Sequence, residues 1–308
     1  MAVSDGVAPR VTGAADNDPR LRLKIVAGYA AIYLIWGSTF LVTRLGVRSL
    51  PPLLFAGARF LVAGLLVAVA AVGLGERFPG TAREWRYMVL FSLLLVTAGN
   101  GLSTTALTRL PSNEGALLSA GSALWIAWLG ALGPRGHKLT VRGNIGLLLG
   151  LVGVALLVWP RSSTGSGHFG WQSLVLCGSL AWAVGTVLYR NAALPIGPVA
   201  FNAVMMGLGG VWLLAAGAVT GELPEWHWDA GGLAALTYLA VFGSAVAYTA
   251  YMWLLKHSSA DRVGTFAYVN PAIAAVLGWV VLGEALEPTQ VAGMLVVLLG
   301  VALVTLPK

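Results

Sequence analysis

Apolar runs of roughly 18 to 22 residues recur along the whole chain. A helix of that length crosses about 30 Å of hydrocarbon, and a soluble core has no need of it so often. Runs such as AGLLVAVAAVGLG and LLLGLVGVALLVW lack the strict alternation of a spanning strand. The expected fold is all-α and integral to the membrane, with ten transmembrane helices near 25–43, 53–73, 86–106, 113–133, 143–159, 169–189, 198–219, 231–253, 261–282 and 288–306. Composition agrees: 57% of the 308 residues are hydrophobic and 10% are charged, against about a quarter charged in soluble domains.

Residues 1–24 hold Asp5, Arg10, Asp16, Asp18, Arg20, Arg22 and Lys24. Their apolar surface is too small to offset ordering entropy, so a disordered cytoplasmic tail is expected there. They show neither the apolar core nor the small-residue cleavage pattern of a signal peptide. The lone cysteine, Cys177, falls inside a span and has no partner for a disulfide or a cysteine metal site.

The net charge of +7 and pI near 9.9 reflect where the cations sit. With the N-terminus inside, the cytoplasmic segments hold Arg10, Arg20, Arg22, Lys24, Arg77, Arg83, Arg86, Arg135, Lys138, Arg142, Arg190, Lys256, Arg262 and Lys308, and the outer segments only Arg44, Arg48, Arg109 and Arg161. This asymmetry places both termini inside by the positive-inside rule. No Lys/Arg stripe interleaved with exposed aromatics is present, so nucleic acid is not expected as a partner.

The two halves match when the second is slid back by 146 or 147 residues. Trp36 then falls on Trp182, Arg44 on Arg190, Pro52 on Pro198, Phe55 on Phe201, Gly64 on Gly210 and Gly75-Glu76 on Gly221-Glu222. With one residue of slippage, Ser112 falls on Ser259, Gly136 on Gly283, Gly146 on Gly293 and Gly153-Val154-Ala155-Leu156 on Gly300-Val301-Ala302-Leu303. Each unit has an odd number of spans, so the copies enter the membrane in opposite directions, an inverted repeat of the kind alternating-access transporters use. The division is a tail at 1–24, a first repeat at 25–160 and a second at 161–308.

The motifs set into this repeat are IWGSTFLVTRLG (35–46), PPLLFAGARF (51–60), GN (99–100), FGSAVAYTAYMWLL (242–255) and TFAYVNPAIAAVLGWVVLGE (265–284). Together they resemble the EamA-type branch of the drug/metabolite transporter superfamily, and within it the YedA-type exporters. The resemblance implies ten helices, a central substrate cavity between the repeats, no nucleotide hydrolysis and transport out of the cell. It departs from the family in one place: Pro271 and Glu284 of the second repeat face Leu124 and His137 in the first, so the first-repeat copy of that helix is expected to be straighter.

Polar side chains within spans should face the bundle interior. Arg59 is the one Lys or Arg placed well within a span; it either orients an anionic substrate group or snorkels to the rim and braces a carbonyl. Asn100, between Gly99 and Gly101, offers an amide to substrate or to another helix. Asn270 and Pro271 mark a kink, read as cavity lining and gate or as a static bend. Trp36, Trp125, Trp128, Tyr248, Tyr251 and Tyr268 line a cavity for flat or apolar substrates, or simply pack. Ser38, Ser119 and Ser122 bring hydroxyls, which in membrane helices commonly bond their own backbone. Glycines at Gly146, Gly150, Gly207, Gly209 and Gly210 allow close helix approach, within the bundle or in a homodimer.

No phosphate-cradling G-x-x-x-x-G-K-[ST] or zinc-binding H-E-x-x-H segment occurs, and no Asp or Glu lies near mid-span, Glu114, Asp261 and Glu284 all falling near ends. No cofactor, metal or catalytic role is expected. The expected function is a secondary carrier in the cytoplasmic membrane, exporting amino acids, their derivatives or other small organic compounds by alternating access, with membrane lipids and a small molecule as its partners. The rival is a facilitative channel or lipid scramblase.

Overall fold

The computed structural model describes residues 19–132, 140–158, 168–257, 266–284 and 288–305. Ten membrane helices follow one another: α1 (Pro19–Gly46), α2 (Pro52–Gly73), α3 (Ala82–Ala106), α4 (Ser112–Ala120 continued by Ser122–Leu132), α5 (Val141–Val158), α6 (His168–Ala192), α7 (Pro198–Val219), α8 (Ala230–Tyr238 through Leu239–Val246 to Ala247–His257), α9 (Phe266–Leu282) and α10 (Pro288–Thr305). Six are individually long and apolar enough to span, and α5, α9 and α10 contribute shorter apolar segments. The outer surface is apolar and the polar groups of the spans turn inward among an apolar core: Arg59 is 6% exposed, whereas Val69 on the same helix is 74% exposed. That is the arrangement lipid imposes, since a polar group facing hydrocarbon goes unsatisfied.

One expectation needs correction at the start of the chain. Helix α1 begins at Pro19, so residues 19–24 of the tail read as disordered are helical. Proline suits a helix start, and the exposed Arg20, Arg22 and Lys24 can reach water beyond the apolar run. Residues 1–18 lie outside the described residues.

The repeats meet along two seams where backbone touches backbone. In the first, α2 runs antiparallel to α7: a methyl group added at Gly64 would lie 2.6 Å from the Gly207 nitrogen, and one at Gly210 would lie 2.6 Å from the Leu61 nitrogen. These are one contact written twice, because residue 64 is the repeat mate of 210 and 61 of 207. In the second, α5 runs antiparallel to α10: a methyl at Gly153 would lie 2.6 Å from the Val297 nitrogen and one at Gly300 2.5 Å from the Gly150 nitrogen. At Gly64, Gly210, Gly153 and Gly300 no side chain fits, and these glycines serve packing within the chain.

The first seam is tied at both ends by carboxylates. Proline opens α2 and α7, and neither helix has a side-chain cap of its own. The Glu222 carboxylate, just past the end of α7, accepts from the Leu53 and Leu54 amides at 3.0 and 2.9 Å. Glu76, just past the end of α2, accepts from the Val199 and Ala200 amides at 2.7 and 2.9 Å. Each carboxylate satisfies free donors at a helix N-terminus and meets the positive end of its dipole. Gly75 and Gly221 hold positive φ at 65° and 84°, which turns the chain sharply enough to bring each glutamate back.

A third carboxylate cap has no mate. The Glu284 carboxylate, past the end of α9, accepts from the Ser112 amide at 2.9 Å, the Ser112 hydroxyl at 2.7 Å and the Asn113 amide at 3.2 Å, at the start of α4. Its counterpart in sequence is His137, outside the described residues, and an imidazole cannot reproduce a carboxylate accepting several amides. Nor is α4 the straighter copy. It breaks at Gly121, whose amide turns back to the Leu118 carbonyl at 3.2 Å, while α9 continues across Pro271. Glycine's low helix propensity does in α4 what proline was expected to do in α9.

Two predictions follow from these seams. Glu222→Ala lowers stability by about 2–3 kcal/mol, because two amides lose a charged acceptor, and Glu76→Ala costs a similar amount additively, the two sites lying a full helix apart; reversible unfolding in mixed micelles measures both. Gly64→Leu abolishes the folded monomer in size-exclusion chromatography, whereas Gly73→Ala, with nothing within 4 Å of the added methyl, leaves it intact.

Candidate functional site

Midway along α3 and α8 the backbone widens into π-helical turns, Ser92–Gly101 and Leu239–Val246. The segments are repeat mates, and wide turns of this kind often mark functional positions. Within the first, the Asn100 amide donates to the Leu95 carbonyl five residues back at 2.9 Å, and the Thr97 hydroxyl does the same to Ser92 at 3.2 Å. Asn100 thus holds the wide turn of its own helix, and its side chain also meets the Tyr248 hydroxyl. Gly99 beside it has no side chain, so the Trp182 ring lies against the backbone: a methyl there would be 3.3 Å from the indole.

The second wide turn receives groups from α1 and α2. The Trp36 indole N–H donates to the Gly243 carbonyl at 3.1 Å, and the Arg59 Nε donates to the Ser244 hydroxyl at 3.1 Å. The Arg59 guanidinium lies over the Phe60 ring at 4.6 Å. It neither snorkels nor braces a carbonyl, and among the described residues it has no carboxylate partner, the ion pair found being Arg77–Glu84.

One turn further along α8, Tyr248 meets Trp36 edge-on at 5.2 Å and Trp182 at 6.5 Å between ring centroids. Trp36 and Trp182 are repeat mates, so a single tyrosine contacts the equivalent tryptophan of each half. Tyr251 and Phe266 close the other side of Trp36 at 5.3 and 5.1 Å. Asn270, four residues past Phe266 and so on the same face of α9, is buried with an oxygen that has no hydrogen-bond partner among the described residues.

The structure thus brings Trp36, Arg59, Asn100, Tyr248, Tyr251 and Asn270 to one region between the repeats. Ser38 is spent on the Ile35 carbonyl and the Tyr238 hydroxyl, both at 2.8 Å. Trp125 pairs with the exposed Trp128 at 6.2 Å and is absent from the Trp36 cluster, while Ser119 and Ser122 flank the break at Gly121. Pro271 is buried in α9 beside Asn270; Tyr268 lies on the same helix, its side chain outside the described set.

Two contributors, Trp182 and Ser244, were not among the candidate site residues. Trp182 was legible as the repeat mate of Trp36. Ser244 looked like any small residue in an apolar span, and nothing marked it as the partner of Arg59. Outside this group, Glu114, at a span end, is 1% exposed and accepts from the Gln172 amide at 2.6 Å. Among the described residues no group of three His, Cys, Asp or Glu is placed to hold a metal.

Comparison with known proteins agrees with this architecture. The description of the EamA-like transporter family matches residues 24–159 and again residues 170–306. The uncharacterized inner membrane transporter YedA of Escherichia coli is 36% identical over 291 residues, 94% of this chain and 93% of that protein. The uncharacterized transporter YvbV of Bacillus subtilis is 27% identical, covering 93% of this chain and 92% of its own. A solved crystal structure superposes with a TM-score of 0.66 at 21% identity over 92% of this chain and 96% of that one, a likeness of fold. With the family's signature matched once in each of two inverted helical repeats, this chain belongs to the EamA-like transporter family and is a multi-pass membrane protein.

Proposed function

We propose that this protein is a secondary transporter that exports small organic metabolites across the cytoplasmic membrane by alternating access, with both termini in the cytoplasm. The observation that carries the reading is Tyr248, seated between the repeat-related Trp36 and Trp182 on one wide-turned helix and meeting Asn100 of the other. A ligand taking the place of those ring contacts would touch both halves at once, which is what a site of alternating exposure requires. Aromatic pairs of this kind are worth about 0.5–1.5 kcal/mol each, weak enough for a substrate to replace. Export as the direction rests on the family likeness.

The two glycine seams make poor moving parts, because backbone packed on backbone has no alternative arrangement. Motion falls to the elements between them, and α4 and α9 carry suitable devices: the break at Gly121, the buried Pro271, and the Glu284 tie to Ser112 and Asn113. In this reading Glu284 latches the end of the bundle where α9 finishes and α4 begins. The opposite end, with His137 in the equivalent place, lacks that carboxylate.

Counterflow in proteoliposomes tests the carrier reading. Vesicles preloaded with unlabelled amino acids and small carboxylates should take up labelled compound in a saturable, preload-dependent manner, and Tyr248→Leu should reduce that uptake at least tenfold; flux that neither saturates nor depends on preload would establish the channel reading instead. The latch has its own readout. In a Cys177→Ser background, a cysteine at the buried position Leu117 should react with a membrane-impermeant maleimide about tenfold faster once Glu284→Gln removes the charged acceptor, since the lost bonds are worth about 1.5–3 kcal/mol.

A further inference from the structure

Arg59 is a buried cation whose charge nothing in its described surroundings answers. It is 6% exposed. Its Nε donates to Ser244, one face rests on Phe60, and the ionisable neighbour it interacts with is the Tyr248 phenol. No carboxylate oxygen among the described residues comes within 4.0 Å. One terminal nitrogen lies 3.5 Å from where a methyl on Gly243 would stand, so glycine there leaves room beside the guanidinium. The repeat mate of Arg59 is Met205, and the charge is therefore carried once, not twice.

A buried guanidinium without a counter-charge is costly, and its terminal nitrogens form a fork that fits a carboxylate bidentately. The groups it meets, the Ser244 and Tyr248 hydroxyls, are neutral, as is the Asn100 amide that meets Tyr248. The carboxylates described within the spans are engaged elsewhere, Glu84 with Arg77 and Glu114 with Gln172. An ammonium entering this site would meet no anion and would stand near a guanidinium. The rings of Trp36, Trp182 and Tyr251 suit an apolar or flat body.

We propose that the substrate is a monovalent organic anion with an apolar body, and that it is carried electrogenically. This rests on the reading of the Trp36–Tyr248 cluster as the substrate site. Arg59 stays in place with its charge, so each transport event moves the single negative charge of the substrate. An inside-negative membrane potential pushes that charge outward, which gives export a driving force without a proton carrier in the spans. At equilibrium the anion distributes roughly tenfold for about every 59 mV.

Three probes on one skeleton separate the possibilities: 3-phenylpropionate (anion), phenylalanine (zwitterion) and 2-phenylethylamine (cation), with binding to the full chain in nanodiscs followed by thermal shift at pH 7. The anion should bind at least tenfold more tightly than the other two. Arg59→Gln should erase that preference and Arg59→Lys should keep part of it. Absence of anion binding at low-millimolar concentration, or equal or tighter binding of the zwitterion or the amine by the native chain, overturns the proposal. If some probe binds, and its binding is lost in Tyr248→Leu but unchanged in Arg59→Gln, the site stands and the charge selection fails; insensitivity to both substitutions sinks the site itself. In proteoliposomes with a potassium diffusion potential set by valinomycin, 3-phenylpropionate should leave the negative compartment faster and settle at a ratio that follows the imposed voltage, while flux indifferent to voltage overturns electrogenic transport.

Discussion

Glu76 and Glu222 each satisfy the free amides at the head of a helix in the other repeat, and the rest of the bundle is arranged around that exchange. In hydrocarbon, a helix N-terminus with unsatisfied donors is expensive, and the cap positions of α2 and α7 are Pro51 and Gly197, which have no side-chain acceptor. Each repeat therefore completes the other. The reciprocal caps hold α2 and α7 at both ends, the glycines between them remove the side chains that would part them, and α5 with α10 repeats the solution on a second seam. What is left between these two rigid pairs is the region where Trp36, Arg59, Tyr248 and Trp182 meet.

That region combines features which would be liabilities in a static core. Among the described residues, a buried cation without a carboxylate, an asparagine oxygen without a donor and two stretches of widened helix all cost stability. They lie where the halves converge, while along the α2–α7 seam backbone packs on backbone and both helix starts are capped. A closely packed frame beside such a region suits a machine with a responsive centre.

The departures from symmetry are as informative as the symmetry. Arg59 faces Met205 across the pseudo-two-fold relation, and Glu284 has His137 as its counterpart. An ideal inverted repeat would give its two facing states equal energy. Here one charge and one latch are present singly, so the two states of the proposed transport cycle differ in stability by the worth of those groups. The same asymmetry misled the expectation for α4 and α9, because Gly121 breaks the helix that lacks proline.

The length and spacing of the apolar runs determined, by themselves, that this chain is a ten-helix membrane protein, since hydrocarbon thickness leaves few other ways to house them. The offset matches of Trp, Pro, Gly and Glu likewise determined an inverted repeat, for an odd number of spans must reverse the second copy. Arg59, Asn100, Tyr248 and Tyr251 could be picked out as polar or aromatic groups in the wrong solvent. Their partners could not: Ser244, Trp182 and the carboxylate caps lie between about 65 and 185 positions from the groups they meet, and π-helical turns leave no mark in composition. Nor could the sequence separate Trp125 from Trp36, two tryptophans inside spans that point to different parts of the bundle. Only tertiary packing decides which buried polar groups find partners, because satisfaction in a membrane interior depends on what the neighbouring helix presents at that depth, and that is set by crossings of helices far apart in the chain.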